Sequence, residues 1–527
     1  MVRARKANLG RPIREGGATM AQGEDMIGSR ELIDQVLDAG SWASWDNPLP
    51  AVQASREYAA ALEQARRDSG LDEAIVTGAG LIGGHRVAVI ATEFGFLAGS
   101  VGLAASRCIV QAVERATREG LPVMASPSSG GTRLQEGTLA FVQMIGIASA
   151  LTVHRAAGLP YLVYLRNPTT GGVLASWGSL GHVTAAEPGA LIGLLGPRVQ
   201  RALYGESLPP DVQTAENLYR HGLIDAVVPP ADLRDIAIRV LNVMTAPKRP
   251  GTPPSWSEDS ARDVQRDHPS PTASRTWESI TRSRRPDRPG VRALLKIAAT
   301  DVTPLSGTGA GERDEALLLA LARFGEMPCV LVGQDRHSRS ADQNLGPAGL
   351  REAVRGMRIS RDLDLPLVTV VDNPGASLSR QSEEGGLAHG IAQCIVELSE
   401  LATPTVCALL GEGGGGTALA LLPADRVLCA DHAWLAPLPP EGAAEVLHKT
   451  TERTGELAHA QGAGSAALVR DGIADRIIPE FPDAADEPKP FMRRVGAAIE
   501  KEISGLRATD TTQRLAARAA RYRPAGP

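Results

Sequence analysis

The chain carries the same punctuation twice, 244 residues apart, and that offset limits its fold more than any single motif. Leu121-Pro122 matches Leu365-Pro366, Gly131 matches Gly375, Pro160 matches Pro404, Gly172 matches Gly416, and Glu187 aligns with Asp431. Such matches in register across roughly sixty residues, with strand and helix patterns between them in the same order, read as an internal duplication. A second match, His221-Gly222-Leu223-Ile224-Asp225 against Asp471-Gly472-Ile473-Ala474-Asp475 at an offset of 250, extends it. Each half must then form a similar body from its own strands and helices.

Within a half the pattern is strand, glycine turn, helix, repeated. Val101 to Glu119 reads as a helix ending at Gly120, and Leu121-Pro122-Val123-Met124-Ala125 opens a strand that runs into Ser128-Ser129-Gly130-Gly131. A helix follows, then the strand Tyr161-Leu162-Val163-Tyr164-Leu165, which ends in Pro168-Thr169-Thr170-Gly171-Gly172. Alternation with short connections predicts crossover units and an α/β core. Residues 1–28, basic and poor in apolar side chains, read as a disordered tail. The first body is expected over 29–246, a linker rich in Pro, Ser, Asp and Arg over 247–288, the second body over 289–503, and a further tail over 504–527.

The richest glycine stretch, Gly411-Glu412-Gly413-Gly414-Gly415-Gly416-Thr417, follows the apolar run Val406-Cys407-Ala408-Leu409-Leu410 and precedes a helix-compatible segment. It reads as strand, turn and helix N-terminus, where backbone N–H groups face a negative charge. Gly411, Gly413 and Gly416 satisfy G-x-G-x-x-G, and Asp431 stands at the distance of a ribose-binding acid, so a dinucleotide turn is the first rival. The duplication argues against it. Each half has two glycine turns 41 residues apart, and a dinucleotide fold uses one. A P-loop fails too, since no Lys-Ser or Lys-Thr follows the glycines. Gly78 to Gly83 repeats the spacing, but a strand follows where a helix is needed, so it reads as a hairpin. Two turns whose N–H groups converge make an oxyanion hole. Two such holes suit a reaction in which one oxygen on each of two substrates gains charge.

Composition removes other classes. A net charge of -5, a pI near 6.1 and 3% aromatic residues argue against nucleic-acid binding. The five cysteines lack C-x-x-C spacing, so buried thiols are expected and no metal site. No uninterrupted apolar run reaches the roughly 18 to 20 residues that span a bilayer, and no signal-peptide core opens the chain. No membrane segment and a cytoplasmic location are the expectations.

The motifs taken together resemble a known family. Glu93 to Ser100, Ser129-Gly130-Gly131-Thr132-Arg133-Leu134-Gln135-Glu136-Gly137, Pro168 to Val173 and Glu187 to Gly193 are similar to the β subunit of the carboxyltransferase of bacterial acetyl-CoA carboxylase. Asp372-Asn373-Pro374-Gly375-Ala376, Gly411 to Gly414 with Gly416, and Pro440-Glu441-Gly442 are similar to its α subunit. The resemblance covers roughly residues 30–245 and 288–480 and implies a β/α fusion of two crotonase-like (ClpP/crotonase) spiral domains. It implies transfer of a carboxyl group from carboxybiotin, on a separate carrier protein, to the α-carbon of an acyl-CoA, with acetyl-CoA first and propionyl-CoA or a specialised thioester as alternatives. A decarboxylase or hydrolase, or a non-catalytic scaffold, stays open as well.

By the same resemblance Gly171 and Gly172, with Ser129, Gly130 and Gly131, hold the thioester oxygen. Gly416 and Thr417, with Gly375, Ala376 and Gly415, hold the biotin ureido oxygen. Arg133 is open to two roles, contacting a CoA phosphate or pairing with Glu136, and Arg282, Arg284, Arg285 and Arg288 read as a solvated charge run. His85 and His389 need no triad role, because the released biotin nitrogen takes the substrate proton in this family. No Met-Lys biotinylation pair is present, so biotin carboxylase and the biotin carboxyl carrier are expected as other chains. A cleft between halves of two protomers implies a homodimer or higher oligomer. The chain departs from the family in three ways. Residues 1–28 hold no cysteine, so the β subunit's zinc ribbon is not expected. Asn373 stands for a Thr, and Thr417 for a small residue, so that its side chain is expected to narrow the biotin site.

Overall fold

A computed structural model describes residues 26–46, 54–247, 272–338 and 344–523. Each half is built on one mixed sheet. In the first, the hairpin Ile75–Ile82 and His85–Thr92 is antiparallel, and Val123–Ser126, Tyr161–Leu165, Val183–Ala186 and Ala226–Val227 add in parallel, in that order. In the second, Leu317–Phe324 and Met327–Gln334 form the hairpin, followed by Leu367–Asn373, Thr405–Gly414, Arg426–Ala430 and Arg476–Ile478. The parallel strands are buried on both faces, which explains their near-continuous apolar sequences.

The duplication holds at the level of elements. Helices Leu103–Glu119 and Pro347–Leu363 start and stop 244 residues apart, as do the starts of Val123–Ser126 and Leu367–Asn373 and of the short helices Gly171–Leu174 and Gly415–Leu419. Even the helix stops correspond, Gly120 at φ 66° and Asp364 at φ 53° both being left-handed caps. Parallel strands joined through helices on the sheet faces place every glycine turn at the carboxyl end of its strand, where such folds bind ligands. The segment 78–83 is the expected hairpin.

One apolar core runs through both halves, and Asp225 stitches them at its edge. Its carboxylate accepts the N–H groups of Thr184 (2.8 Å) and Ser306 (3.0 Å) and both terminal nitrogens of Arg355 (2.8 and 2.9 Å), and it is 4% exposed. Gly222 and Gly307 meet beside it so closely that a Cβ on Gly307 would lie 2.3 Å from Gly222 Cα.

Three sequence expectations change. The proposed linker 247–288 contains helix Ala273–Ser283, and Arg288 is fully buried against Glu480 (2.6 Å), so the second body takes in this stretch; residues 248–271 lie outside the described residues, as does most of the expected tail 1–28. The expected tail 504–527 holds helix Thr511–Arg521, docked by Arg514 and Arg518 onto the buried carboxylate of Asp425 (3.2 and 2.8 Å). A charged, alanine-rich segment looks solvated until its distant carboxylate is known. The stretch Leu134–Ala156 is long and apolar enough, by length and composition, to cross a bilayer, although no uninterrupted apolar run is. Its one fully buried polar side chain, His154, bonds Thr117 Oγ1 (2.9 Å) and the Pro160 carbonyl (3.2 Å) inside the core, and burial brings its pKa down to about 4. That helix is anchored to the core on one side, with 28% of its apolar stretch buried, and leaves apolar side chains exposed on the other.

Candidate active site

In the first half the two glycine turns touch. Ser129 N–H donates to Pro168 O (2.6 Å) and Thr170 N–H to Ser129 O (2.9 Å), a short bridge that locks one turn to the other. Gly131 has φ 107°, and a Cβ there would lie 3.2 Å from Gly171 Cα and 3.3 Å from Thr170 O. Glycine alone permits this approach.

The donors divide unequally. Gly130 N–H goes to Ala98 O (2.9 Å), Gly131 N–H to Ser129 Oγ (3.0 Å), and Gly171 N–H to Leu194 O (3.0 Å). Gly172 N–H, in the first turn of Gly171–Leu174, has no intrahelical acceptor and no partner among the described residues. Across the gap stands Thr132. Its bridge to Val101 uses the Gly131 carbonyl and the Arg133 N–H, and the Thr132 N–H has no partner among the described residues. A Cβ on Gly172 would lie 3.0 Å from Thr132 Oγ1, so the two residues face each other. Of the first-site residues named from sequence, Ser129, Gly130, Gly131 and Gly171 build the cradle and Gly172 supplies a donor. Thr132 was missed, though the 244-residue offset maps it onto Ala376.

The second half repeats the arrangement. A Cβ on Gly414 would lie 1.8 Å from Pro374 O, so these turns also meet. Gly375 N–H is held by Asn373 Oδ1 (2.7 Å), a bond a threonine at that position would not make in the same way. Ala376 bridges Leu345 through the Ser377 N–H, and its own N–H has no partner among the described residues. Gly415, at φ 63°, opens helix Gly415–Leu419, and Gly416 stands in its first turn. Thr417 is fully buried, its hydroxyl 3.5 Å from Gly414 O, so its side chain packs against the turn that leads to it.

Side chains around the turns brace them. Arg166, 2% exposed, donates to Ser126 Oγ (2.9 Å) and to the carbonyls of Ile27 (2.9 Å), Ser126 (3.0 Å) and Thr92. Glu187 accepts the Asn167 N–H (2.9 Å). Around the second site Arg336 pairs with Asp372 (3.1 Å), and Arg284 reaches Glu412 (3.2 Å) and Glu441.

Arg133 is corrected: it is 0% exposed, paired with Glu73 (2.5 Å) and bonded to Ser100 O (2.6 Å), with Glu136 at 3.8 Å, so no donor is left for a CoA phosphate. Glu73 lies sixty residues upstream, which hid the pair from a local reading. Arg284, Arg285 and Arg288 are ion-paired rather than solvated as a run.

The titratable side chains beside the second cradle, Glu412 and Asp372, are ion-paired with Arg284 (3.2 Å) and Arg336 (3.1 Å). Burial pushes the Cys407 thiol, on the strand leading to the second turn, up to about 12, and His85 is tied to Asn242 (2.7 Å) and Thr245 (3.0 Å). Among the described residues no cluster of His, Cys, Asp and Glu fits a metal ion. What each cradle offers is a pair of uncommitted backbone N–H groups, suited to an oxygen that gains negative charge.

Comparison with known proteins places this geometry. The carboxyl transferase domain model matches residues 19–515. The chain is 54% identical over 500 residues to a probable biotin-dependent acyl-coenzyme A carboxylase beta3 subunit of Mycobacterium tuberculosis, covering 95% of this chain and 99% of the relative. It is 36% identical to the acetyl-coenzyme A carboxylase carboxyl transferase subunits beta/alpha of Salinispora arenicola, covering 94% and 90%. Among solved structures, a transcarboxylase 12S, described as a hexamer with hydrolysed methylmalonyl-coenzyme A bound, matches with a TM-score of 0.67 at 22% identity over 90% of this chain and 89% of that one. A single-chain long-chain acyl-CoA carboxylase matches with the same TM-score at 17% identity, covering 90% of this chain and 45% of its own. The two structures share the crotonase-like fold. Duplicated sheets, paired glycine turns and full-length relatives lead to one conclusion: the chain belongs to the carboxyl transferase family, as the carboxyltransferase of a biotin-dependent acyl-CoA carboxylase.

Proposed function

We propose that the chain transfers a carboxyl group from carboxybiotin, presented by a separate carrier protein, to the α-carbon of acetyl-CoA, giving malonyl-CoA. One observation carries the reading: each half presents two uncommitted N–H groups across a glycine cradle, Gly172 with Thr132 and Gly416 with Ala376. The first pair receives the thioester oxygen as the α-carbon loses its proton. The second receives the ureido oxygen of biotin, with Gly375, Gly415 and Thr417 shaping its turn. Carboxybiotin supplies the carboxyl group; its N–C bond breaks, a C–C bond forms, and the α-proton ends on the biotin nitrogen. Each donor aimed at such an oxygen contributes about 2.7 to 4 kcal/mol. Backbone donors suffice because the base is the second substrate.

Acetyl-CoA is favoured by the Salinispora relative, whereas the 54% identical relative is named for acyl-CoA without a chain length, which supports propionyl-CoA or a longer thioester as the second reading. Competition between acetyl-CoA, propionyl-CoA and longer thioesters for one carboxybiotin donor decides between them. A preference for acetyl-CoA supports the first reading, and a larger kcat/KM for another thioester replaces it.

Apolar side chains left exposed favour assembly with a second copy. Leu139, Phe141 and Ile145, all more than half exposed, stand on helix Gly137–Ala156, and Val446 and Leu447, each 61% exposed, on Pro440–His448. Biotin carboxylase and the carrier are the further partners of this reading, and the cytoplasm is its location.

A further inference from the structure

Gln334 stands in neither glycine turn, yet it holds both arms of the second cradle. It is the last residue of strand Met327–Gln334 and is 0% exposed. Its carboxamide nitrogen donates to the Thr417 carbonyl at 2.9 Å, and its carboxamide oxygen accepts the Asp372 N–H at 2.9 Å.

Both backbone groups are orphans of local geometry. The ladder between Leu367–Asn373 and Thr405–Gly414 runs in register to the pair Val371 and Leu409, then jumps to Asn373 and Gly413. The irregularity leaves Asp372 between two pairings, and its N–H turns to a side chain. Helix Gly415–Leu419 is five residues long, too short for the Thr417 carbonyl to accept an N–H from four residues on within it. One amide therefore satisfies a ladder defect on the Gly375 arm and a helix carbonyl on the Gly416 arm. A buried amide that meets its partners on two elements fixes their separation, because losing either bond leaves a polar group stranded.

The first half lacks this tie. Thr92 ends the matching strand, His85–Thr92, and its hydroxyl finds no partner among the described residues. Its carbonyl is taken by Arg166, which reaches Ser126 and Ile27 but neither Gly171 nor Gly172. The carboxamide clamp is therefore particular to the second cradle.

We infer that Gln334 is a positioning residue for the second cradle alone, setting the distance between the Gly375–Ala376 and Gly416–Thr417 arms and so the affinity of that cradle for biotin. This rests on the functional reading given above for the second cradle.

The test uses the full-length chain, free biotin and malonyl-CoA, with two variants. Gln334→Ala removes both bonds. Gln334→Glu keeps an acceptor for Asp372 and, assayed at a pH high enough to ionise its buried carboxyl, has no donor for the Thr417 carbonyl. Two readouts are taken: hydrogen–deuterium exchange of the peptides covering 367–376 and 411–421, with 123–131 and 168–176 as the first-half reference, and KM for each substrate. The expected result for Gln334→Ala is exchange faster by roughly tenfold in both second-half peptides, with the first-half peptides unchanged. Gln334→Glu speeds only 411–421. In both variants KM for biotin rises by roughly tenfold while KM for malonyl-CoA stays within about twofold of its value. Exchange unchanged in 411–421, or accelerated equally in both halves, overturns the inference, as does an equal rise in both KM values. If the unmodified chain transfers no carboxyl group from any thioester, the functional reading fails, and the exchange pattern alone decides whether Gln334 holds the cradle.

Discussion

Replacing Gly131 by alanine separates the geometry of the first cradle from its stability. The residue sits at φ 107°, where a side chain is strained, by roughly 1 to 3 kcal/mol. Its new Cβ would meet Gly171 Cα at 3.2 Å and Thr170 O at 3.3 Å. Both are backbone atoms, so relief requires the turns to part by a few tenths of an ångström, and the Gly172 N–H moves with its turn. A well-aimed oxyanion donor is worth about 2.7 to 4 kcal/mol, a factor of roughly 10² to 10³ in kcat. Gly131→Ala should therefore lower kcat by about 100-fold in carboxyl transfer from malonyl-CoA to free biotin. Gly120→Ala is the control: it also stands at positive φ, 66°, but its Cβ meets nothing within 4 Å. It should lose about 1 kcal/mol of stability in urea unfolding and keep its kcat. A folded Gly131→Ala protein with kcat within about threefold of the parent refutes the reasoning, since that is well under the worth of one donor.

Further perturbations address the frame around the sites. Asp225→Ala strands the mostly buried Arg355 and two N–H groups, so unfolding should come about 3 to 5 kcal/mol more easily, measured in urea; a loss below about 1 kcal/mol argues that the halves are held elsewhere. Glu352 is 2% exposed, and burial holds its carboxyl up at about 7 against an ordinary 4.5. The folded chain keeps this proton after the unfolded chain releases it, so the stabilisation is full below pH 4.5 and is lost as pH rises through about 7, by roughly 3 kcal/mol. Glu352→Gln should flatten that part of the stability–pH curve, and an unchanged slope assigns it to other groups. Arg133→Met should lower the melting temperature by breaking the pair with Glu73 and leave KM for acyl-CoA alone; a selective rise in that KM restores a CoA contact. If the chain self-assembles as proposed, Ile145→Asp, at a position 69% exposed, should lower the mass read by light scattering without lowering protomer stability, and an unchanged mass moves the interface elsewhere.

The offset of 244 residues made the paired architecture legible because it aligns local signals, glycine turns and strand runs, that a sequence displays directly. The pairing of turns within each half was legible for the same reason. Which N–H groups stay uncommitted was not, since that depends on acceptors far away in the chain or on a side-chain rotamer: Leu194 O takes the Gly171 donor and Ser129 Oγ takes that of Gly131. Long-range ion pairs hid in the same way. Arg133 finds Glu73, Arg288 finds Glu480 and Arg518 finds Asp425, and each turned an apparently exposed cation into a buried strut. Thr132 maps onto Ala376 by the same offset, but its role rests on a backbone N–H left over by the Val101 bridge, which no sequence pattern displays.

Carboxyl exchange between labelled malonyl-CoA and free biotin, measured on the purified chain, shows whether the two cradles work together on two substrates. Label should reach biotin, transfer should need both substrates, and distorting either cradle, through Gly131→Ala or Gly416→Ala, should suppress it while the protein stays folded. Release of labelled carbon dioxide at the same rate without biotin, or exchange that survives loss of either cradle, would contradict joint action of the cradles.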